Sequence, residues 1–259
     1  MISVDDFIKN AARQAGQIQK ETYHKVKSWR TKSGRGDIVT EVDLACEKLL
    51  IDRIKAQYPK DAILSEEAGA IGIQSDAPVW IIDPLDGTRN YMAGIPFFCV
   101  SIGLVRSGVA EVGAVYDAIH DELFFARRGA GAFLNDEPIK ITDENVLDDI
   151  LISIAWVKRK VSRQRFVKYI DRLGDQTSYF RRLGSAALVS CYVACGRINA
   201  YLQAGLNPWD MAAGTLIIEE AGGVVTDFDG KPIDLREPNI EIVTAGHDLH
   251  SMLMRDVVE

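Results

Sequence analysis

The chain has 259 residues, 47% of them apolar, and its 37 acidic against 30 basic side chains leave a net charge of −7. That is enough for a sizeable core, and it offers no overall positive field to nucleic acid or an anionic membrane, so neither is expected as a partner. No run approaches the ~20 apolar residues of a membrane span and the start lacks a signal-peptide pattern, which makes the cytoplasm the expected setting.

Ser3 and Asp6 form a capping-box pattern with Asp in the place of Glu, and Val4, Phe7, Ile8, Ala11, Ala15 and Ile18 then repeat at helical spacing. A long amphipathic first helix follows. Gly34 and Gly36 break the pattern, and Val39, Val42, Cys46, Leu49, Leu50 and Ile54 restore it as a second helix. Asp37, Thr40 and Asp43 fall around its first turn, where capping and dipole roles are the ordinary reading. Residues 62–65 read as a strand running into Glu66 and Glu67, followed by a loop with Gly and Ala.

The organising stretch is 80–91, WIIDPLDGTRNY. The apolar run 79–82 predicts a short buried strand that delivers Asp83 and Asp86 at its end, with Pro84 expected to forbid strand pairing between them. Gly87 and Thr88 suit a helix start, whose first amides lack partners and attract phosphate. Two acids able to hold divalent metal beside an anion site are what metal-assisted phosphate-ester hydrolysis requires.

Residues 97–106 and 110–116 read as strands, and 122–126 with 132–134 as a hairpin closed near Arg128-Gly129-Ala130-Gly131. The polar segment 142–149 is the expected boundary between an N-terminal half, 1–146, and a C-terminal half, 147–259. Strand 150–154, a basic helix over 162–173, a short strand near Ser178, a small-residue helix starting at 184–187 and strand 198–202 then alternate, which predicts a layered α/β arrangement. Asn207 and Pro208 read as cap and first residue of a helix that carries Asp210 and stops at Gly222-Gly223. Strands 224–228 and 240–244 follow, with a turn at Asp229-Gly230.

Rival motifs fail on spacing. An EF-hand would need Glu eleven residues after Asp83, where Gly94 stands; an aspartyl-phosphate enzyme would place its second Asp two residues on rather than three; no Walker lysine motif is present. Cys46, Cys99, Cys191 and Cys195 are too scattered for a disulfide scaffold, and Cys191 and Cys195 lack a nearby His or third thiol for a metal. Asp210 alone reads as a dipole partner, yet Glu66, Asp83, Asp86 and Asp210 all fall at strand ends or helix starts, where sheet proteins assemble sites.

The blocks DIVTEVD (37–43), SEEAG (65–69), WIIDPLDGTRNY (80–91), RLGSAAL (182–188), NPWDMAAG and EEAGG (within 207–223) resemble the inositol monophosphatase family nearly end to end. The resemblance implies an αβαβα five-layer sandwich, usually a homodimer, and a lithium-sensitive hydrolase of phosphate monoesters that uses two or three Mg²⁺. It implies Glu66, Asp83 and the Leu85 carbonyl on one metal, Asp83, Asp86 and Asp210 on a second, and Glu66 reaching a third through water. Asp43 and Thr88 match the pair that orients the attacking water; Asp86, Gly87, Thr88, Ser185, Ala186, Gln203 and Asp210 fall on the substrate side, and Lys32 near a substrate-side loop. Inositol-specific members carry Glu where this chain has Gln203, which donates as well as accepts and is uncharged. Inositol 1-monophosphate is the first expectation. Fructose 1,6-bisphosphate, histidinol phosphate and 3′-phosphoadenosine 5′-phosphate are the alternatives, the more so if Arg89 meets an extra negative charge. A catalytically inactive regulatory binding protein is the expectation from a different class.

Overall fold

The computed structural model describes residues 2–31, 38–72, 77–143, 150–155, 160–175, 177 and 179–255. Asp37, Lys32, Ser178 and most of the expected boundary at 142–149 lie outside them.

Helix α1, Val4–Thr22, starts where Ser3 accepts the Asp6 N–H, and buries the face that runs from Phe7 and Ile8 to Ala15 and Gln19. Helix α2, Glu41–Gln57, starts one step later than its apolar repeat promised. Val39 belongs instead to strand β2, Ile38–Thr40, which pairs with β1, Trp29–Thr31. Thr40 ends that strand and caps the helix, and a cap keeps extended geometry.

The first sheet has eight strands: β3 (Ala62–Ser65), β4 (Gly69–Ile71), β5 (Val79–Asp86), β6 (Cys99–Arg106), β7 (Val109–Asp117), β8 (Glu122–Arg127), β9 (Gly131–Leu134) and β10 (Glu137–Ile139). Their spatial order is β10-β9-β8-β7-β6-β5-β3-β4. The expected 122–134 hairpin is the β8–β9 pair, while β4 occupies part of the expected loop after Glu67.

The second sheet has five strands, β11 (Ile152–Ala155), β12 (Phe180–Arg181), β13 (Ala200–Leu206), β14 (Val224–Thr226) and β15 (Ile240–Ala245), in the order β12-β11-β13-β15-β14. The turn at Asp229-Gly230 forms, with Asp227 Oδ1 accepting the Asp229 and Lys231 N–H groups at 2.8 Å; β15 then returns only after a further loop.

Helices α3 (Thr88–Ala93), α4 (Lys160–Gly174), α5 (Ala186–Ala194), α6 (Pro208–Glu220) and α7 (His247–Leu253) are the other helices among the described residues. Among the described residues, three apolar cores define the layers. α1 and α2 cover the outer face of the eight-stranded sheet through Phe7, Ile8, Leu50, Trp80, Ile82 and Leu85. α5 and α6 fill the space between the sheets, with Leu188, Met211, Leu216, Tyr201 and Ile242. α4 and α7 cover the far face of the second sheet through Phe166, Leu173, Val243 and Leu249. This is the αβαβα sandwich; each fully buried aliphatic side chain contributes roughly 1.5–3 kcal/mol.

Small residues bring α6 hard against the first sheet. A Cβ on Gly103 would lie 2.8 Å from the Ala212 Cβ, and one on Gly113 3.0 Å from the Ala213 Cα. That closeness carries Asp210, near the start of α6, toward β5. No helix among the described residues is long and apolar enough to cross a membrane.

Candidate active site

Pro84 does not end its strand. β5 continues to Asp86, but its register against β6 jumps from Asp83 opposite Ser101 to Asp86 opposite Cys99. Three residues on one strand against two on the other make a bulge, which accommodates a residue with no N–H. Without it Asp83 and Asp86, an odd number of residues apart, would point to opposite faces of the sheet. With it, carboxylate oxygens of Asp83, Asp86 and Asp210 all lie within 4.8 Å of one another.

Asp83 Oδ1 accepts the Leu85 N–H at 3.0 Å. Asp86 Oδ2 accepts from Ser185 Oγ at 2.6 Å and from the Ala187 N–H at 2.7 Å. Asp210 Oδ2 accepts the Asn207 N–H at 2.7 Å, so the expected cap exists and the same side chain also faces the other acids.

Burial, reinforced by Glu66, Asp86 and Asp210, holds the Asp83 carboxyl well above the usual range. Burial pushes Asp86 up to about 6 against the opposing bonds from Ser185 and Ala187. Like charges packed this closely favour either protons or a bound cation. Every donor in the group is oxygen, which fits a hard cation such as Mg²⁺ better than zinc.

Glu66 follows β3, with its N–H bonded to the Ile82 carbonyl at 3.2 Å. Its charge helps raise the carboxyl pKa of Asp83, Asp86 and Asp43 alike, but the group drawn together within 4.8 Å is Asp83, Asp86 and Asp210. Asp43, fully buried at the start of α2, divides its oxygens. Oδ2 accepts from the Thr40 N–H at 2.9 Å and the Thr40 hydroxyl at 2.5 Å, while Oδ1 lies 3.0 Å from Thr88 Oγ1. Thr88 Oγ1 is also 3.0 Å from the Leu85 carbonyl. Burial raises the Asp43 carboxyl, opposed by the Thr40 and Thr88 bonds.

Gly87 sits at φ 94° as the N-cap of α3, where a Cβ would meet the Phe97 carbonyl at 3.0 Å. Ser185 caps α5 and directs its hydroxyl at Asp86, and Ala186 is buried beside it. On β13, Gln203 Oε1 accepts from the Tyr201 hydroxyl. Arg89 is exposed.

Three supporting residues escaped the sequence reading. Glu47 Oε1 accepts from Ser65 Oγ and from the N–H groups of Glu67 and Ala68, fastening the turn that presents Glu66. Asn90 Nδ2 donates to the carbonyls of Phe97 and Leu183 at 2.7 and 2.6 Å, tying the 80–91 stretch to the approach to α5. Gln19 Nε2 donates to the Pro84 carbonyl at 2.8 Å. Glu47 and Gln19 did leave a signal, since each is a polar residue on the apolar face of its helix.

The model of the inositol monophosphatase family matches residues 2–259. A Vibrio cholerae protein named Nus factor SuhB is 43% identical over 232 residues, 89% of this chain and 87% of that protein. The solved extragenic suppressor protein suhB from Bartonella henselae superimposes with a TM-score of 0.90 at 35% identity, covering 97% of both chains. An IMPase from Thermotoga maritima gives a TM-score of 0.87 at 33% identity, covering 97% of this chain and 95% of that one.

Proposed function

The chain belongs to the inositol monophosphatase family, and on that premise we propose that it is a Mg²⁺-dependent phosphomonoesterase of small polyol or sugar phosphates, with inositol 1-monophosphate first. The observation that carries this reading is the convergence of Asp83, Asp86 and Asp210 within 4.8 Å, beside a Thr88 hydroxyl 3.0 Å from Asp43.

Asp83, Asp86, Asp210, Glu66 and the Leu85 carbonyl would hold two ions, with a third reached from Glu66. Mg²⁺ held there would supply charge to shield the phosphate and to lower the pKa of water toward neutral. Thr88 donates a hydrogen bond to Asp43 and so presents an oxygen lone pair to the attacking water, which it orients; as Thr88 Oγ1 takes the water's proton, its own hydroxyl proton passes to Asp43. The amides of Gly87 and Thr88 hold phosphate oxygens, while Ser185 acts through Asp86 and keeps that carboxylate aimed. Ala186 lies at the same wall. Gln203 faces the leaving group and sorts substrates there. The N-terminal half, 1–146, supplies most of this machinery and the C-terminal half, 147–259, adds Asp210 and the substrate side.

The test is phosphate release from inositol 1-monophosphate, fructose 1,6-bisphosphate, histidinol phosphate and 3′-phosphoadenosine 5′-phosphate at defined Mg²⁺, with and without Li⁺. Asp83→Asn is expected to abolish turnover in a folded chain. Full activity in that variant ends the proposal; silence of the wild-type chain on the whole panel favours the inactive regulatory form. Sedimentation tests the homodimer that accompanies this reading.

A second reading concerns nucleic acid. Its exclusion rested on net charge alone, but residues 158–182 hold nine basic side chains (158, 159, 160, 163, 165, 168, 172, 181, 182) against Asp171 and Asp175, and several relatives are named Nus factors. Local charge rather than the total governs such binding. Salt-dependent RNA retention lost on neutralising Arg181 and Arg182 would support it.

A further inference from the structure

The bulge that gathers Asp83 and Asp86 leaves ladder groups short of partners, because Pro84 brings no N–H and the register against β6 skips there. Two carbonyls at the break, those of Pro84 and Cys99, take their hydrogen bonds from a single nitrogen, Gln19 Nε2 on α1, at 2.8 and 3.3 Å. Gln19 lies 65 residues from Pro84 and is fully buried. Its own Oε1 meets no donor among the described residues. Burying an amide with an unsatisfied oxygen costs stability, so an apolar side chain would serve the α1 face better if packing were the only requirement.

The same residue is held a second time. Its main-chain carbonyl accepts from the Tyr91 hydroxyl at 2.8 Å, which is also 2.9 Å from Thr22 Oγ1. α1 therefore grips the 83–91 segment on both sides of Asp86 and Thr88, at Pro84 through the Gln19 amide and at Tyr91 through the Gln19 carbonyl.

We infer that Gln19 is a positioning residue for the metal centre, its side-chain amide supplying the hydrogen bonds that Pro84 cannot and so fixing the backbone that aims Asp83, the Leu85 carbonyl and Asp86 into one site. Two N–H groups on one planar nitrogen suit two neighbouring carbonyls; carboxylate or aliphatic side chains of similar size do not. The inference rests on the proposed metal site, and its consequence is a metal affinity set partly from the opposite side of the sheet.

Calorimetric titration of the full chain with Mn²⁺ and with Mg²⁺ tests it, using Gln19→Met, Asp83→Asn and, as a control elsewhere in the α1 core, Ile8→Val. Gln19→Met keeps the volume and removes the donors. Its metal affinity is expected to fall about tenfold or more, the size typical of lost outer-shell support, with most of kcat recovered at saturating Mg²⁺ and Ile8→Val unchanged in affinity. Affinity in Gln19→Met equal to wild type, or an equal loss in Ile8→Val, overturns the assignment. Should Gln19→Met not fold, Gln19→Asn keeps an amide one methylene short of reach and carries the same expectation. A wild-type chain that binds neither ion refutes the metal site itself; a wild-type chain that binds, with Asp83→Asn defective and Gln19→Met normal, refutes Gln19 alone.

Discussion

Asp43 and Asp210 occupy the same local structure. Each is the third residue of a helix, behind a cap in nearly identical extended geometry, Thr40 at φ −109°, ψ 167° and Asn207 at φ −109°, ψ 166°. Each accepts the cap residue's N–H, at 2.9 and 2.7 Å. Their surroundings differ: Asp43 is fully buried and turns its other oxygen to Thr88, whereas Asp210 meets Asp83 and Asp86. Capping engages part of a carboxylate and leaves the rest to whatever the fold sets opposite. On the proposed reading, one cap serves as a proton acceptor and the other as a cation ligand.

Substituting the two acids should separate these roles. Asp210→Asn keeps an oxygen for the Asn207 N–H but loses its charge; turnover should fall more than ~100-fold with a large rise in the Mg²⁺ needed, since direct ligands outweigh the 10–100-fold typical of outer-shell partners. Its metal-free form should be at least as stable as wild type, because a like charge has gone. Asp43→Asn, which likewise keeps an oxygen for the cap N–H, should lower kcat by ~100-fold, within the range for acid–base groups, and leave metal affinity nearly unchanged. Titration calorimetry beside kinetics reads both, and equal losses of metal affinity would erase the distinction.

The pH dependence sharpens the contrast further. Asp86 has its carboxyl raised from 3.8 to about 6, and Asp83 is raised as well. Between the unfolded and folded values the folded state binds more protons, so stability falls as pH rises. The metal-free chain should lose stability from about pH 4 through pH 6, and the raised Asp43 carboxyl acts in the same direction. Mg²⁺ at about a hundred times its dissociation constant should restore about 2.7 kcal/mol. Thermal unfolding at pH 5 and pH 8, in chelator and in Mg²⁺, checks this, and an unmoved midpoint at pH 8 would contradict it. The smallest effect on turnover belongs to Glu47→Gln, which disturbs the turn carrying Glu66. It should cost about 1–3 kcal/mol, seen as a midpoint lowered by several degrees with turnover changed only a few-fold.

Most elements were legible because their signals are local. The Ser3 and Asn207 caps, the α1 stripe and the 122–134 hairpin all read correctly. Val39 was misplaced because an apolar residue just before a cap satisfies the helical repeat while its backbone is still extended. Pro84 was misread for a related reason. Its missing N–H argues against a strand only if no bulge and no outside donor take up the slack, and here both do. Ser185, expected on the substrate side, bonds Asp86 across 99 residues of sequence, a contact that no local pattern shows.

The sequence by itself determined the donor chemistry, the helix starts and the placement of acids at element ends, since each is set by neighbours within about four residues. Tertiary structure alone decided which face Asp83 and Asp86 share, which cap meets the cluster, and that Gln19 and Glu47 brace it. Those outcomes depend on strand register and on hydrogen bonds between distant segments, and a side chain's direction out of a sheet reverses with every single step of register.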